Sequence, residues 1–196
     1  AFVKTGIFLG NTPTYGTMQH TQLIMHYWTS YVAYGCTPEN TSNTFETLVY
    51  KQQAKQLVAY RFGDVKNESM LQCFTWLANI GNQFIDQGKG GFDGKMVVCG
   101  IDGNFINLDV QQVTRLDVVS PFLYVHGLTG YSDLRSYLHT HETNTGTVRL
   151  IGVCAGNASF PNDGVLAEGG EVILQQVNYA GSDQRNNVKV TGGNVR

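Results

Sequence analysis

Apolar residues recur at helical spacing in the first part of the chain and at strand spacing in the rest, with the change near Gly88. Leu23, Ile24, Tyr27, Trp28 and Tyr31 fall at i, i+1, i+4, i+5 and i+8, one face of a helix that Gly35 would stop. Asn43 with Glu46 three residues on gives a capping-box-like start for a second helix. Its stripe is Leu48, Val49, Leu57, Val58 and Phe62, with Gly63 closing it. A third helix is predicted from about Glu68 to Asp86, with Met70, Leu71, Phe74, Leu77, Ile80, Phe84 and Ile85 inward.

Gly88-Lys-Gly-Gly-Phe-Asp-Gly94 then breaks the pattern. It resembles a phosphate loop only superficially, because Asp93 stands where the last glycine is needed and a strand pattern follows instead of a helix. It is read as a linker between two halves of the fold. Beyond it, Lys95–Ile101 and Asn104–Val110 flank Asp102-Gly103, a hairpin signal. In the second arm Ile106, Leu108 and Val110 alternate with Asn107 and Asp109, which predicts one buried and one wet face. Further strands are predicted at Val113–Val119, Phe122–His126, Thr147–Cys154, Glu171–Tyr179 and Val188–Thr191. No internal repeat is apparent in the residues, and the stretch from Gly181 reads as an extended arm. The expected fold class is α+β in one domain over residues 1–196. A helical part (about 1–88) would pack on a strand-rich part (about 95–192) with a largely antiparallel sheet.

Composition narrows the function classes. Charged residues make up 14% of the chain, against about 25% in an ordinary globular protein. The net charge is −2, and polarity comes instead from Gly, Thr, Asn, Gln and Ser. Low net charge favours self-association. Lys and Arg are scattered without a cluster, which argues against a nucleic-acid partner. No apolar run approaches the roughly 20 residues of a membrane span. Ala1 opens the chain with no signal-like stretch, as expected of a mature or trimmed form. Cys36, Cys73, Cys99 and Cys154 form no C-x-x-C pair, so they read as two disulfides or as buried thiols.

The one cluster of strong metal-binding or proton-transfer groups is His139-Thr140-His141-Glu142. In an extended segment His139 and His141 share a face and can chelate a transition-metal ion, while Glu142 points the other way unless the chain turns. Spacing alone does not choose a third ligand among His20, His26, His126 and Asp133. His139-Thr-His141 resembles the H-x-H element at the tips of some phage tail fibres and spikes. That resemblance, three residues long, implies an axial ion shared by three chains. No nucleophile elbow, Walker A motif, cupin pattern or paired glycosidase carboxylates can be read.

These observations favour a non-enzymatic structural or adhesive component of an extracellular or virion-type assembly, such as a phage tail, capsid or pilus subunit. Such a component would be a homo-oligomer facing a protein or glycan receptor. The alternatives are a metal-dependent hydrolase or lyase using His139 and His141, and a carbohydrate-binding module with exposed tyrosines.

Overall fold

The computed structural model of the chain describes residues 4–11, 15–24, 56–76, 78–125, 136–157, 163–180 and 186–196. The elements within them are all β-strands, and every strand pairing is parallel. The first sheet stacks β1 (Thr5–Leu9), β4 (Val58–Phe62), β7 (Ile80–Phe84), β10 (Ile106–Val110), β13 (Ser136–Thr140), β16 (Asp163–Ala167) and β19 (Asn186–Val190). The second stacks β2 (Thr17–Gln19), β5 (Lys66–Leu71), β8 (Phe92–Val97), β11 (Val113–Val119), β14 (Thr147–Ile151), β17 (Glu171–Gln175) and β20 (Asn194–Val195). The third stacks β3 (Gln22–Ile24), β6 (Phe74–Trp76), β9 (Gly100–Asn104), β12 (Phe122–Val125), β15 (Cys154–Asn157) and β18 (Asn178–Ala180). Successive strands visit the three sheets in strict rotation, so three strands make a coil and the coils stack as a parallel β-solenoid.

The interior is filled by the alternate residues of each strand. Phe62 and Phe84 stack at 5.3 Å between ring centroids, and Phe92 meets both edge-on at 5.3 and 5.0 Å. Leu108, Leu116, Val118, Leu123, Leu138, Val148 and Val165 continue this core along the rod. The strands β10, β13 and β16 are buried at every position, so both faces of the first sheet are covered in those coils.

One corner recurs in six coils. Between the second and third sheets the chain turns in two residues, and the first of these has left-handed backbone each time. These residues are His20, Gln72, Val98, Ser120, Gly152 and Gln176, with φ of 52°, 52°, 52°, 48°, 63° and 54°. From His20 to Gly152, the N–H of each such residue donates to the last carbonyl of the second-sheet strand one coil on, at 2.8–3.0 Å. The second corner residue, from Thr21 to Val153, accepts a bond from the coil above, as in Gly100 N to Cys73 O at 3.0 Å. Cys73 and Cys99 are buried at this second position as free thiols; Cys154 is free and exposed, and Cys36 lies outside the described residues.

The α+β expectation is therefore corrected: no helix is present among the described elements, and the sheets are parallel. The segment predicted as the third helix is β5, β6 and β7, and Leu57–Phe62 of the second leads into and forms β4. Of the first, Gln22–Ile24 is a strand; residues 25–55, with the remainder of the first two predicted helices, lie outside the described residues. Of the residues expected inward, Met70 and Phe84 are buried, whereas Leu71, Phe74, Ile80 and Ile85 are only partly so, and Leu77 lies outside the described residues. The buried positions between β5 and β7 are instead Met70, Cys73, Thr75 and Ala78, spaced by three, two and three because strand alternation resets at each corner. Asp102-Gly103 is no hairpin either: β9 runs through it, with Gly103 (φ 66°) as a bulge between the pairs Asp102–Tyr124 and Asn104–Val125. Gly88–Gly91 is not a linker between halves but the corner joining β7 to β8. There the N–H groups of Gly91 and Lys89 wrap the Asp64 carboxylate at 2.7 and 2.9 Å. The predicted repeat-free chain is thus a structural repeat, and its predicted terminal arm supplies β19 and β20. Among the described residues, no helix is long and apolar enough to cross a membrane.

Val98 is the costly member of the corner ladder, since a β-branched residue in the left-handed region is strained by about 1–2 kcal/mol. Its side chain is 52% exposed, so little packing opposes its removal. Val98→Asn is expected to stabilise the protein by about 0.5–1 kcal/mol. Urea unfolding should show a higher midpoint with an unchanged slope; a lower midpoint would refute the corner strain.

Candidate metal centre

Parallel, in-register stacking places residues of successive coils side by side. In the first sheet Gln83, Asp109 and His139 occupy equivalent positions on β7, β10 and β13. Neighbouring strands lie about 4.8 Å apart, so their side chains must meet. His139 and His141 lie on one side because Thr140, between them, turns the other way and donates to Gly169 O at 2.8 Å. Their rings are 4.0 Å apart. The loop after β13 is fixed by Asn144, whose Oδ1 accepts from Val113 N and Gly146 N at 3.1 and 3.2 Å. Thr143 Oγ1 donates to Gln111 O at 2.7 Å, tying the loop to the neighbouring corner.

Asp109 is the hub. Its Oδ1 lies 2.6 Å from His141 Nε2 and 3.6 Å from His139 Nδ1, and its Oδ2 accepts from Gln83 Nε2 at 2.9 Å. Burial pushes this carboxyl up, but the bonds from His141 and Gln83 and the two imidazoles outweigh it and hold it below the usual carboxylate range. His141 is pushed up, first by its bond to Asp109, with burial opposing in part. Asp109 and His139 are only 3% and 5% exposed. Solvent reaches the cluster from the His141 and Glu168 side, where 32% and 38% of the side chains are accessible.

His139 is held from its far nitrogen. Its Nε2 is 2.9 Å from Glu168 Oε2, in the corner just after β16. A carboxylate only accepts, so Nε2–H donates to Glu168, and the tautomer with a single ring proton presents its lone pair at Nδ1. That Nδ1 is buried and has no hydrogen-bond partner among the described residues. Asp109, His139 and His141 offer ligand atoms all within 4.8 Å of one another. Bonds of about 2.0–2.2 Å around a tetrahedral ion set ligand atoms about 3.3 Å apart, and the two observed separations straddle that value. The Glu168–His139 contact has the form of the carboxylate that orients a metal-bound imidazole from behind.

The histidine pair was thus readable in the sequence, and its partners were not. Asp109, expected on a wet strand face, is buried, as is Asn107 beside it. Glu168 and Gln83 are 29 and 26 residues from the groups they bond, and only the stacking of coils brings them in. Of the other candidates, His20 sits at the opposite corner, 2.5 Å from Gln72 Oε1. His26, His126 and Asp133 lie outside the described residues. Glu142 is exposed on the turn after His141 and raises its pKa through charge alone.

Fold and cluster together define a three-sheet parallel β-solenoid with an Asp-His-His group embedded in one sheet. Comparison of the chain with protein-family models, with curated proteins and with solved structures finds no match.

The pair of shifts gives a pH signature in metal-free protein. His141, raised on folding, contributes stability that is complete below its unfolded value of about 6.5 and is lost as pH rises through the folded value. Asp109, depressed on folding, contributes stability present above about 3.9 and lost as pH falls through the folded value. The stability difference between wild type and His141→Gln should therefore be largest between about pH 4 and 6.5 and shrink on both sides. Denaturant titrations across pH 3–9 in chelator check this; a flat difference would contradict the pairing.

Proposed function

We propose that the protein binds one transition-metal ion of the zinc type through Asp109 Oδ1, His139 Nδ1 and His141 Nε2, and uses it as a metal-dependent hydrolase or lyase. The observation that carries this reading is the buried, partnerless Nδ1 of His139, held toward Asp109 while Glu168 occupies the other ring nitrogen. An unsatisfied buried acceptor costs about 1–3 kcal/mol, and a metal ion removes that cost. Two imidazoles and one carboxylate leave a fourth position for water, the ligand count of catalytic zinc rather than of a closed structural site. Such an ion lowers the pKa of its bound water to about 7 and polarises a carbonyl or phosphoryl oxygen. The residues supply the rest: Gln83 orients Asp109, Glu168 orients His139, and the His141 side stays open to solvent.

Equilibrium dialysis against zinc followed by metal analysis should give one ion per chain. His139→Ala and Asp109→Ala should abolish binding, and Glu168→Gln should weaken it by roughly 10–100-fold. Stoichiometry untouched by His139→Ala would sink the reading, and one ion per three chains would replace it with a shared axial ion.

A structural or adhesive role in an extracellular or virion-type assembly is the second reading. It is supported by a charge-poor chain folded as a stack of coils, whose outermost strands pair on one side only among the described residues. It predicts a defined homo-oligomer; a clean monomer by light scattering at high concentration would remove it.

A further inference from the structure

The second sheet carries a feature unrelated to the metal cluster. A cavity of about 290 Å³ opens on the early coils, lined among others by Tyr15, Glu68, Ser69, Lys95, Arg115 and Asp117. Glu68 is out of place in its ladder. Its register partners in later coils are Gly94, Leu116, Val148 and Val172, and the last three are core residues. A bulge at Asn67 (φ 56°) brings Glu68 into this inward register. Its carboxyl fills the space that a side chain on Gly16 would take, and Gly94 beside it presents no side chain. Glu68 is 6% exposed and, among the described residues, its carboxyl has no hydrogen-bond partner. Burial pushes that carboxyl up.

The other charges sort themselves by pairing. Arg115 is bound to Asp93 at 3.1 Å, and Asp117 is bound to Arg149 through two contacts of 2.6 Å. Glu68 and Lys95 remain, an acceptor and a cation without an ion-pair partner among the described residues. An anion would meet Glu68 and Asp117, and an amine would meet Lys95 and Arg115, so neither is favoured. The complementary ligand is neutral overall and offers donors and acceptors on adjacent atoms. Vicinal hydroxyls do this. Tyr15, 86% exposed at the rim, supplies an aromatic face for the C–H side of a ring. The volume is at the small end of ligand cavities and fits about one ring unit.

We infer that this cavity is a saccharide subsite that takes one neutral sugar unit, with hydroxyls on Glu68, Lys95 and Ser69 and the ring against Tyr15. The sugar is either a free monosaccharide or one unit of a glycan laid along the second sheet. The site stands apart from the metal cluster, so its test is run with chelator present. Full-chain protein is screened on an array of neutral and acidic glycans, and the best neutral glycan and its monosaccharide are titrated calorimetrically. The expected result is saturable binding of a neutral glycan, weakened at least tenfold by Tyr15→Ala and by Lys95→Ala. Thermal midpoints of these two surface variants should match wild type. Glu68→Gln should keep the fold and alter which hydroxyl epimer is preferred. Tight monosaccharide binding identifies the free sugar as ligand; binding of the longer glycan alone identifies the polymer. Retention of no neutral glycan, or affinity unmoved by both Tyr15→Ala and Lys95→Ala, overturns the inference.

Discussion

The corner between the second and third sheets is the constraint on which the molecule depends. One left-handed residue per coil turns the chain in two residues, and its N–H reaches the carbonyl that ends the second-sheet strand one coil on. Because the corner has the same length in all six coils, the second and third sheets hold register along the rod. Length variation falls elsewhere, in the bulges at Asn67 and Gly103 and in the corner after the first sheet. The corner joining the first sheet to the second takes two residues after β10 and six after β13. A change of register by one residue would turn every core side chain outward, so this corner in effect decides which residues are buried.

Register is also what makes chemistry. In a solenoid a side chain meets not its sequence neighbours but residues about one coil away, and stacking brings like positions together at about 4.8 Å. Inward ladders such as Leu116, Val148 and Val172 are apolar and add to the core. The ladder Arg61, Gln83, Asp109 and His139 is polar, and in β10 and β13 it is buried on a sheet face that would ordinarily be wet. The same rule that stacks Phe62 on Phe84 therefore places Asp109 against His139 and delivers Gln83 and Glu168 on either side.

This rule explains what the sequence could show. Strands with clean alternation inside one coil were legible, and Val113–Val119 coincides with β11. His139 and His141, local along the chain, were legible as a pair. What could not be read was anything joining one coil to the next. The corner residues are chemically unlike, from Gly152 to Val98, so they form no motif; their common property is a backbone angle. The coils from β4 onward differ in length, since β4, β7, β10 and β13 begin at residues 58, 80, 106 and 136, so no fixed period exists to find. Met70, Leu71, Phe74, Ile80 and Phe84 carry helical spacing, but in strands broken at corners only Met70 and Phe84 of these are buried, a distinction that periodicity alone does not make.

The polar ladder is poor design for stability. Among the described residues Arg61 Nε, Gln83 Oε1 and His139 Nδ1 are all buried without a hydrogen-bond partner, on strands where apolar residues would stack without penalty. Each such atom costs about 1–3 kcal/mol, a large fraction of the 5–15 kcal/mol that holds a domain together. Asp109 accepts from Gln83 Nε2 and pairs with His141, but toward His139 Nδ1, 3.6 Å away, it offers only a second acceptor. A coil-to-coil contact built for structure would place a donor there or replace the group by a Leu, as the next strand does at Leu166. The 3.6 Å separation is close to the roughly 3.3 Å between two donor atoms of one tetrahedral ion, and on the proposed reading the lone pair beside it is the one that Glu168 fixes in place.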